Sequence, residues 1–145
     1  EHCFYLCICC EQEQKARGER CRFISKKMGH TLHKQERLRG KIVVQRLFAE
    51  GKAFTCYPLR VVYRRNASGE QRALFSVPKK RFKRAVDRNR IKRLMRESYR
   101  LNKELLSGCD GGFEVAFVSI SDAVPSFEFM QKKMCEALML LKGKE

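Results

Sequence analysis

The sequence has few acidic residues and no long hydrophobic run. Its 145 residues contain 16 Asp and Glu against 32 Lys and Arg, which gives a formal net charge of +16. No apolar stretch approaches the roughly 18 residues that a membrane-spanning helix needs. The most basic segment also has no Trp or Phe on its apolar side to anchor it at a membrane surface. The composition therefore favours an acidic polymer as partner, and nucleic acid over a membrane.

The patterns that protein enzymes use for catalysis are also missing. A nuclease needs clustered carboxylates for metal ions or a pair of histidines for acid–base chemistry. Here the acids, Asp87, Asp110 and Asp122 among them, are scattered along the chain. No Gly-rich phosphate loop and no nucleophile elbow occurs. The residues by themselves therefore predict binding and no catalysis.

The eight cysteines are unevenly distributed. Five lie in the first 21 residues, whereas Cys56, Cys109 and Cys135 stand alone in the body of the chain. A secreted scaffold spreads paired cysteines over its fold, so we expect buried free thiols and a reducing, cytoplasmic setting. The early cysteines and His2 lack a paired C-x-x-C spacing, which disfavours a metal site. His30 and His33 lack a third ligand nearby, so metal binding is disfavoured there too.

The first 27 residues differ in character from the rest. Residues 3–10 form an apolar run between acids, without the basic start and cleavage site of a signal peptide. The chain starts at Glu1, and Met28 stands just before the patterned region. We expect residues 1–30 to be a flexible extension outside the fold, either upstream sequence or an artefact of start assignment. Residues 31–145 are expected to form one domain.

Residues 79–100 are the most basic part of the chain. They include eleven Lys and Arg and only two acids, Asp87 and Glu97. At 100° per residue, this segment and the residues after it predict a helix with an apolar face opposite a cationic arc. The apolar face comprises Ile91, Leu94, Met95, Tyr99, Leu101 and Leu105. The cationic arc comprises Asn89, Lys92, Arg93, Arg96, Arg100 and Lys103.

The cations of this arc repel one another at a spacing of three or four residues. Glu97 and Glu104 fall between the two faces, so we expect them to relieve little of the repulsion. Phosphates of a nucleic acid would neutralise the arc and release condensed counterions. A surface helix kept for solubility is the alternative, which the one-sided, Arg-rich clustering disfavours.

The same segment resembles the signature of the protein component of bacterial ribonuclease P. The match is ungapped and reads K-K-x-x-K-R-A-V-x-R-N-R-I-K-R-L-x-R-E over residues 79–97. By pattern more than by identity, the resemblance extends over about residues 33–141.

Turn residues and hydrophobic patterns predict four strands. Asn66 to Gly69 supply turn chemistry between the second and third strands, which we expect to pair as an antiparallel hairpin. The last strand is apolar throughout its centre, so we expect it to be central in the sheet. The predicted strands are residues 52–55, 59–64, 72–77 and 113–120.

Three helices are predicted, the first at residues 40–50 and the second at 84–106. Gly51 suits a left-handed residue just past the first helix, and residues 37–39 form an extended basic lead-in before it. Ser126 suits the N-cap of the third helix. The core stripe of this last helix comprises Phe127, Met130, Met134, Leu138 and Leu141.

The element order is α-β-β-β-α-β-α, which predicts an α+β sandwich with helices packed on a mixed four-stranded sheet. The resemblance implies the same fold, which is shared with a ribosomal-protein domain, and adds a left-handed β-α-β crossover around the basic helix. Chirality rules alone predict a right-handed crossover. The handedness therefore comes from the resemblance only.

The resemblance implies a function that the residues alone do not give. Ribonuclease P removes the 5′ leader from precursor tRNA, and in bacteria its RNA subunit holds the catalytic Mg²⁺. We expect this chain to be the protein subunit of that endoribonuclease, not catalytic alone and without a tightly bound cofactor. Its expected partners are the catalytic RNA and precursor tRNA, with no obligate protein partner. Its charge would offset the repulsion between two RNAs.

The resemblance also implies two sets of binding residues, one for the catalytic RNA and one for the leader. One member of the first set, Arg88, lies near the apolar face, so it is also a candidate for tying the helix to the sheet. In the family an Arg-Leu-Arg start and an aromatic pair on the first helix help line a leader cleft; here Phe48 is one aromatic and Val44 replaces the other. Core packing is an equal alternative for Phe48. The candidates for the catalytic RNA are Lys79, Lys80, Arg84, Arg88, Asn89, Lys92, Arg93, Arg96 and Arg100. The candidates for the leader are Phe48, Tyr63 and Arg64.

Two other functions are weighed against this one. A ribosomal or other structural RNA-binding protein of similar fold would bind RNA without contributing to leader cleavage. A DNA-binding protein is less favoured, because the basic helix has no preceding helix-turn partner and no dimer seam.

Overall fold

The structure is a computed structural model that describes residues 31–106 and 111–144. Helices and strands follow the predicted order, and a 3₁₀ turn at Lys103–Leu106 extends the second helix. The helices are α1 (Lys41–Glu50), α2 (Ala85–Asn102) and α3 (Phe127–Lys142). The strands are β1 (Lys52–Cys56), β2 (Leu59–Asn66), β3 (Arg72–Ser76) and β4 (Gly112–Ser119).

The four strands form one mixed sheet in the order β1-β2-β4-β3. β4 pairs antiparallel with β2 and parallel with β3, so the predicted central position of the last strand is confirmed. Most of β4 is buried, as expected for a strand covered on both faces. The chain passes from β3 through α2 to the parallel β4, which is the β-α-β connection that the resemblance implied.

The predicted hairpin between the second and third strands is wrong. β4 lies between β2 and β3, and the tight hairpin joins β1 to β2 through Tyr57 and a cis Pro58. The turn chemistry does operate, since the Asn66 side-chain oxygen accepts a hydrogen bond from the Ser68 N–H at 2.5 Å. This turn nevertheless connects strands that do not pair, because the more apolar β4 occupies the buried centre.

The two faces of the sheet carry different helices. Because alternate residues of a strand point to opposite faces, Val61 and Phe117 face one side and Val62 and Ala116 the other. The first side holds the main core, with side chains from α2 and α3. The second side is a smaller cluster closed by α1. That cluster comprises Leu38, Leu47, Val62 and Ala116, with Val43, Val44 and Leu74 packed against it.

The predicted faces of α2 and α3 are largely confirmed. Ile91, Met95 and Tyr99 of α2 are buried in the main core. In α3, Met130, Met134, Leu138 and Leu141 are fully buried, and the Ser126 side chain accepts a hydrogen bond from the Phe129 N–H at 3.4 Å. Leu101 and Phe127 were assigned to buried faces, but they remain 39% and 38% exposed.

Gly51 does not have the predicted left-handed conformation. Its φ of −72° and ψ of 145° are extended. A Cβ atom at this position would lie 2.2 Å from the Leu47 carbonyl oxygen. A side chain is excluded by this close approach at the end of α1, so glycine is required for steric reasons and not for positive φ.

Some sequence predictions lie outside the described residues. These include residues 1–30 with their cysteines and His30, Ser107 and Gly108, which directly follow the predicted second helix, and Cys109. Cys56 is a buried free thiol, and burial raises the pKa of this thiol. Among the described helices, none is long and apolar enough to cross a bilayer.

The α3 stripe generates a stability prediction. Met134→Ala removes a side chain with 0% exposure and should lower the free energy of unfolding by about 2–5 kcal/mol, through lost burial and a residual cavity. Met139→Ala is the matched control, because Met139 lies on the same helix and is 41% exposed. Urea unfolding of both variants tests the stripe, and equal losses would contradict it.

Candidate nucleic-acid interface

The outer side of α2 presents the cationic arc to solvent. Burial of Ile91, Met95 and Tyr99 fixes the rotation of the helix. Asn89, Arg93 and Arg96 are consequently exposed, and Lys92 is half-buried. Within the described residues neither Arg93 nor Arg96 forms an ion pair, so their guanidinium groups are available to an anionic partner.

The basic segment before α2 is anchored at a residue that the sequence analysis did not single out. Phe82 is 7% exposed and belongs to the main core, whereas its neighbours Lys79, Lys80 and Arg84 are exposed. Its position between lysines and arginines obscured this role. Burial of the ring keeps the preceding cations beside the start of the helix.

Arg88 ties α2 to the segment before it. Its guanidinium donates hydrogen bonds to the carbonyl oxygens of Phe82 at 2.8 Å and Lys83 at 2.6 Å. A side chain with these partners is half-buried and is directed along its own backbone. The alternative prediction was that Arg88 ties the helix to the sheet. Arg88 does tie the helix to another segment, but that segment is the stretch just before α2 and not the sheet.

Two cations predicted on the exposed arc have protein partners. Arg100 donates from Nε to the Glu97 carboxylate at 2.9 Å, and a second contact joins the same two groups. This hydrogen bond lowers the pKa of Glu97 and raises that of Arg100. The expectation that Glu97 relieves little of the repulsion is therefore wrong. Lys103 Nζ lies 2.7 Å from the Glu36 carboxylate and is mostly buried.

The three leader candidates lie in three different places. Tyr63 is 8% exposed and faces the main core, where its ring makes edge contacts with Phe54 and Phe113. It therefore points away from α1, on the opposite face of the sheet. Tyr63 and Arg64 are neighbours on β2 and therefore face opposite sides of the sheet. The prediction that Tyr63 lines a cleft together with Phe48 is not supported.

Arg64 lies on the α1 side of the sheet but is engaged by two acids. Its guanidinium is 2.7 Å from the carboxylate of Glu50 and, through Nε, 3.5 Å from that of Glu114. Glu114 is 6% exposed. Arg64 thus joins the end of α1 to the sheet, and two carboxylates already surround the charge that was assigned to a leader phosphate.

Phe48 lies on the other flank of α1. Glu50 follows it by two residues, which is about 200° around a helix, so the two side chains flank the buried Leu47 on opposite sides. Phe48 is 48% exposed, so its ring is not a buried part of the core, which was the alternative role for this residue. Arg60 is exposed and lies on the same sheet face as Val62, the face that α1 covers. Arg60 was not among the leader candidates predicted from the sequence.

Metal-ligand side chains do not converge in the described residues. No group of three or more His, Cys, Asp or Glu is placed to hold an ion there. His33, which was not favoured as a ligand, is exposed and its backbone N–H donates to Glu36 at 2.9 Å.

Known proteins resemble this chain over most of its length. The family model described as Ribonuclease P matches residues 32–139. The chain is similar to the ribonuclease P protein component of Porphyromonas gingivalis, with 46% identity over 121 residues that cover 77% of this chain and 87% of that protein. The protein component from Chlorobaculum tepidum is 40% identical over 121 residues, covering 72% and 79%.

Solved structures share the fold. The RNase P protein of Staphylococcus aureus superposes with a TM-score of 0.63 at 22% identity, covering 74% of this chain and 95% of that chain. The RNase P protein of Thermotoga maritima gives a TM-score of 0.61 at 27% identity, with coverages of 71% and 94%. The family match together with the sequence relatives leads to one conclusion: the chain belongs to the ribonuclease P protein family.

Proposed function

We propose that this chain is the RNA-binding protein subunit of a ribonuclease P, the ribonucleoprotein that removes the 5′ leader from precursor tRNA. The observation that carries the proposal is the exposed side of α2. Arg93 and Arg96 lie there, opposite the helix residues that are buried in the main core, and they form no ion pair within the described part of the chain. The family membership supports the identity of the RNA. In this proposal the chemistry belongs to the RNA subunit and its Mg²⁺, and the protein binds.

The catalytic RNA is assigned to the α2 side of the protein. Exposed Arg side chains offer planar forks that fit two phosphate oxygens each. Contacts of this kind neutralise phosphates and release counterions, which supplies affinity without sequence readout. Arg88 and Arg100 support the surface indirectly through their contacts with the lead-in and Glu97. The direct set is Lys79, Lys80, Arg84, Asn89, Lys92, Arg93 and Arg96.

The single-stranded leader is assigned to the flank of α1 that carries Phe48. A half-exposed aromatic ring can stack on a base whatever the base identity. The exposed Arg60 lies on the sheet face that α1 covers, and we assign it to a phosphate of the leader. Arg64 serves this site by fixing α1 on the sheet, whereas Tyr63 packs in the main core on the opposite face of the sheet.

Reconstitution tests the function as a whole. Precursor tRNA cleavage is measured at low Mg²⁺ with a bacterial ribonuclease P RNA, with and without this protein. We expect cleavage to require the RNA and to be strongly stimulated by the protein, because a protein of net charge +16 offsets the repulsion between two polyanions. RNA binding without stimulation would favour a ribosomal or structural RNA-binding protein instead. Cleavage by the protein alone would refute the division of labour.

The α2 surface generates a second prediction. Arg93→Ala with Arg96→Ala should weaken binding to the catalytic RNA by roughly ten- to a hundredfold. The slope of log K against log salt should become shallower by about 0.7–0.9 per lost phosphate contact. Lys132→Ala with Lys142→Ala, two exposed α3 residues, is the charge-matched control. Lost affinity with an unchanged slope would argue against phosphate contacts.

The Phe48 surface generates a third prediction. Phe48→Ala should weaken binding of leader-bearing precursor tRNA to the holoenzyme by about 1–3 kcal/mol per stacked base, while mature tRNA binds as before. Phe48→Leu keeps an apolar side chain without the ring and should also lose affinity. Ile42→Ala, at a 71% exposed position on the same helix, is the control. Equal losses with and without a leader would contradict stacking.

A further inference from the structure

Residues 36–39, here called the strap, run alongside β3 and are joined to it by an isolated parallel bridge between Arg37 and Ala73. The Leu38 N–H donates to the Ala73 carbonyl at 3.0 Å, and the Ala73 N–H donates to the Glu36 carbonyl at 2.8 Å. Leu38 is 4% exposed and packs in the cluster under α1. Because side chains alternate along an extended chain, Arg37 points to the other face, the side of the sheet that carries α2.

Arg37 borders two basic grooves and joins them. One groove, of about 690 Å³, is also lined by Arg93, Arg96 and Arg100 of α2. The other, of about 620 Å³, is lined by Arg39 and Arg72 together with His33 and Lys34. The α2 surface therefore continues onto the strap through one guanidinium.

The strap is held from the end of α2 by an ion pair. Lys103 Nζ lies 2.7 Å from Glu36 Oε1 and donates a further hydrogen bond to the Thr31 carbonyl at 3.1 Å. The side chains are only 18% and 29% exposed. Reduced solvent screening makes such a pair stronger than one in open water. The second Glu36 oxygen accepts a hydrogen bond from the His33 N–H at 2.9 Å.

We propose that Arg37 acts with Arg93 and Arg96 as one phosphate-binding surface for the RNA subunit, and that Lys103 positions Arg37 through Glu36. The proposal rests on the proposed function and extends the basic surface of α2 with a segment from outside that helix. Lys103 lies on the cationic arc by sequence, but in this arrangement it is a positioning residue that does not contact RNA. Glu36 likewise strengthens binding to a polyanion although it is itself an anion.

The role of Glu36 gives a test whose sign is decisive. Charge counting predicts that removing any acid from this protein tightens RNA binding. The proposal predicts the opposite for Glu36→Gln, because this substitution removes the ion pair by which Lys103 holds the strap in place. We expect the Kd for the catalytic RNA to rise about fivefold and the salt slope to become shallower, as for one lost phosphate contact. Glu128→Gln, an exposed acid on α3, is the matched control and should bind as well as wild type or better.

Further variants separate positioning from a general loss of folding. Arg37→Gln leaves the Lys103–Glu36 pair intact, so it should reduce affinity and slope without moving the urea unfolding midpoint. Glu36→Gln should add little in the Arg37→Gln background. Lys103→Met should behave like Glu36→Gln, and Lys103→Arg should restore binding because it restores the pair. Tighter or unchanged binding by Glu36→Gln would overturn the proposal.

The RNA that contacts the strap is distinguished by separate binding arms. Each variant is titrated with the catalytic RNA alone, and the reconstituted holoenzyme is titrated with precursor tRNA and mature tRNA. Losses confined to leader-bearing precursor tRNA would overturn the assignment to the RNA subunit. Failure of the proposed function looks different, since the wild-type protein would then not stimulate precursor tRNA cleavage in the reconstitution. Absence of any binding between the wild-type protein and the catalytic RNA would overturn both proposals.

Discussion

The burial of one face of α2 against the sheet determines which charges the protein shows. Ile91, Met95 and Tyr99 have exposures of 0%, 0% and 3%, and burying three large side chains contributes several kcal/mol. The helix cannot rotate about its axis without exposing them. Arg93 and Arg96 are therefore directed outward by apolar packing, before any electrostatic attraction to an RNA operates. Affinity for a polyanion is in this sense a consequence of the core.

At the end of the sheet beneath α1, the basic side chains are paired with acids of the protein itself. Arg64 and Arg72 flank the buried Glu114 on neighbouring strands, and each has a further acid, Glu50 and Glu70 respectively. Signs thus alternate across β2, β4 and β3 on this face, and the cations there are balanced by the protein itself. Each half-exposed pair adds little stability alone. Together they fix the end of α1, and they neutralise Arg64 and Arg72 within the protein.

The sequence predicted local elements well and non-local pairing poorly. The 3.6-residue period identified α2 and α3 because their apolar stripes are long. The β2–β3 hairpin was wrong because turn residues specify a chain reversal, whereas the partner of a strand is decided by which strand best fills the buried centre. Tyr63 was misplaced for a related reason. Val61, Val62 and Tyr63 are all buried, so no alternation indicated which face belonged to α1.

The positions of acids in this basic protein account for the part of the candidate site that the sequence could not reveal. Glu36 and Lys103 are 67 residues apart in the sequence, and Arg81 and Asp122 are 41 apart. No local sequence pattern therefore predicts either contact. In each case the acid joins a basic side chain to another segment of the fold. Each such pair also removes one cation from the set that can reach a phosphate. The few acids thus select the binding surface from an excess of basic residues, and the net charge alone does not define it.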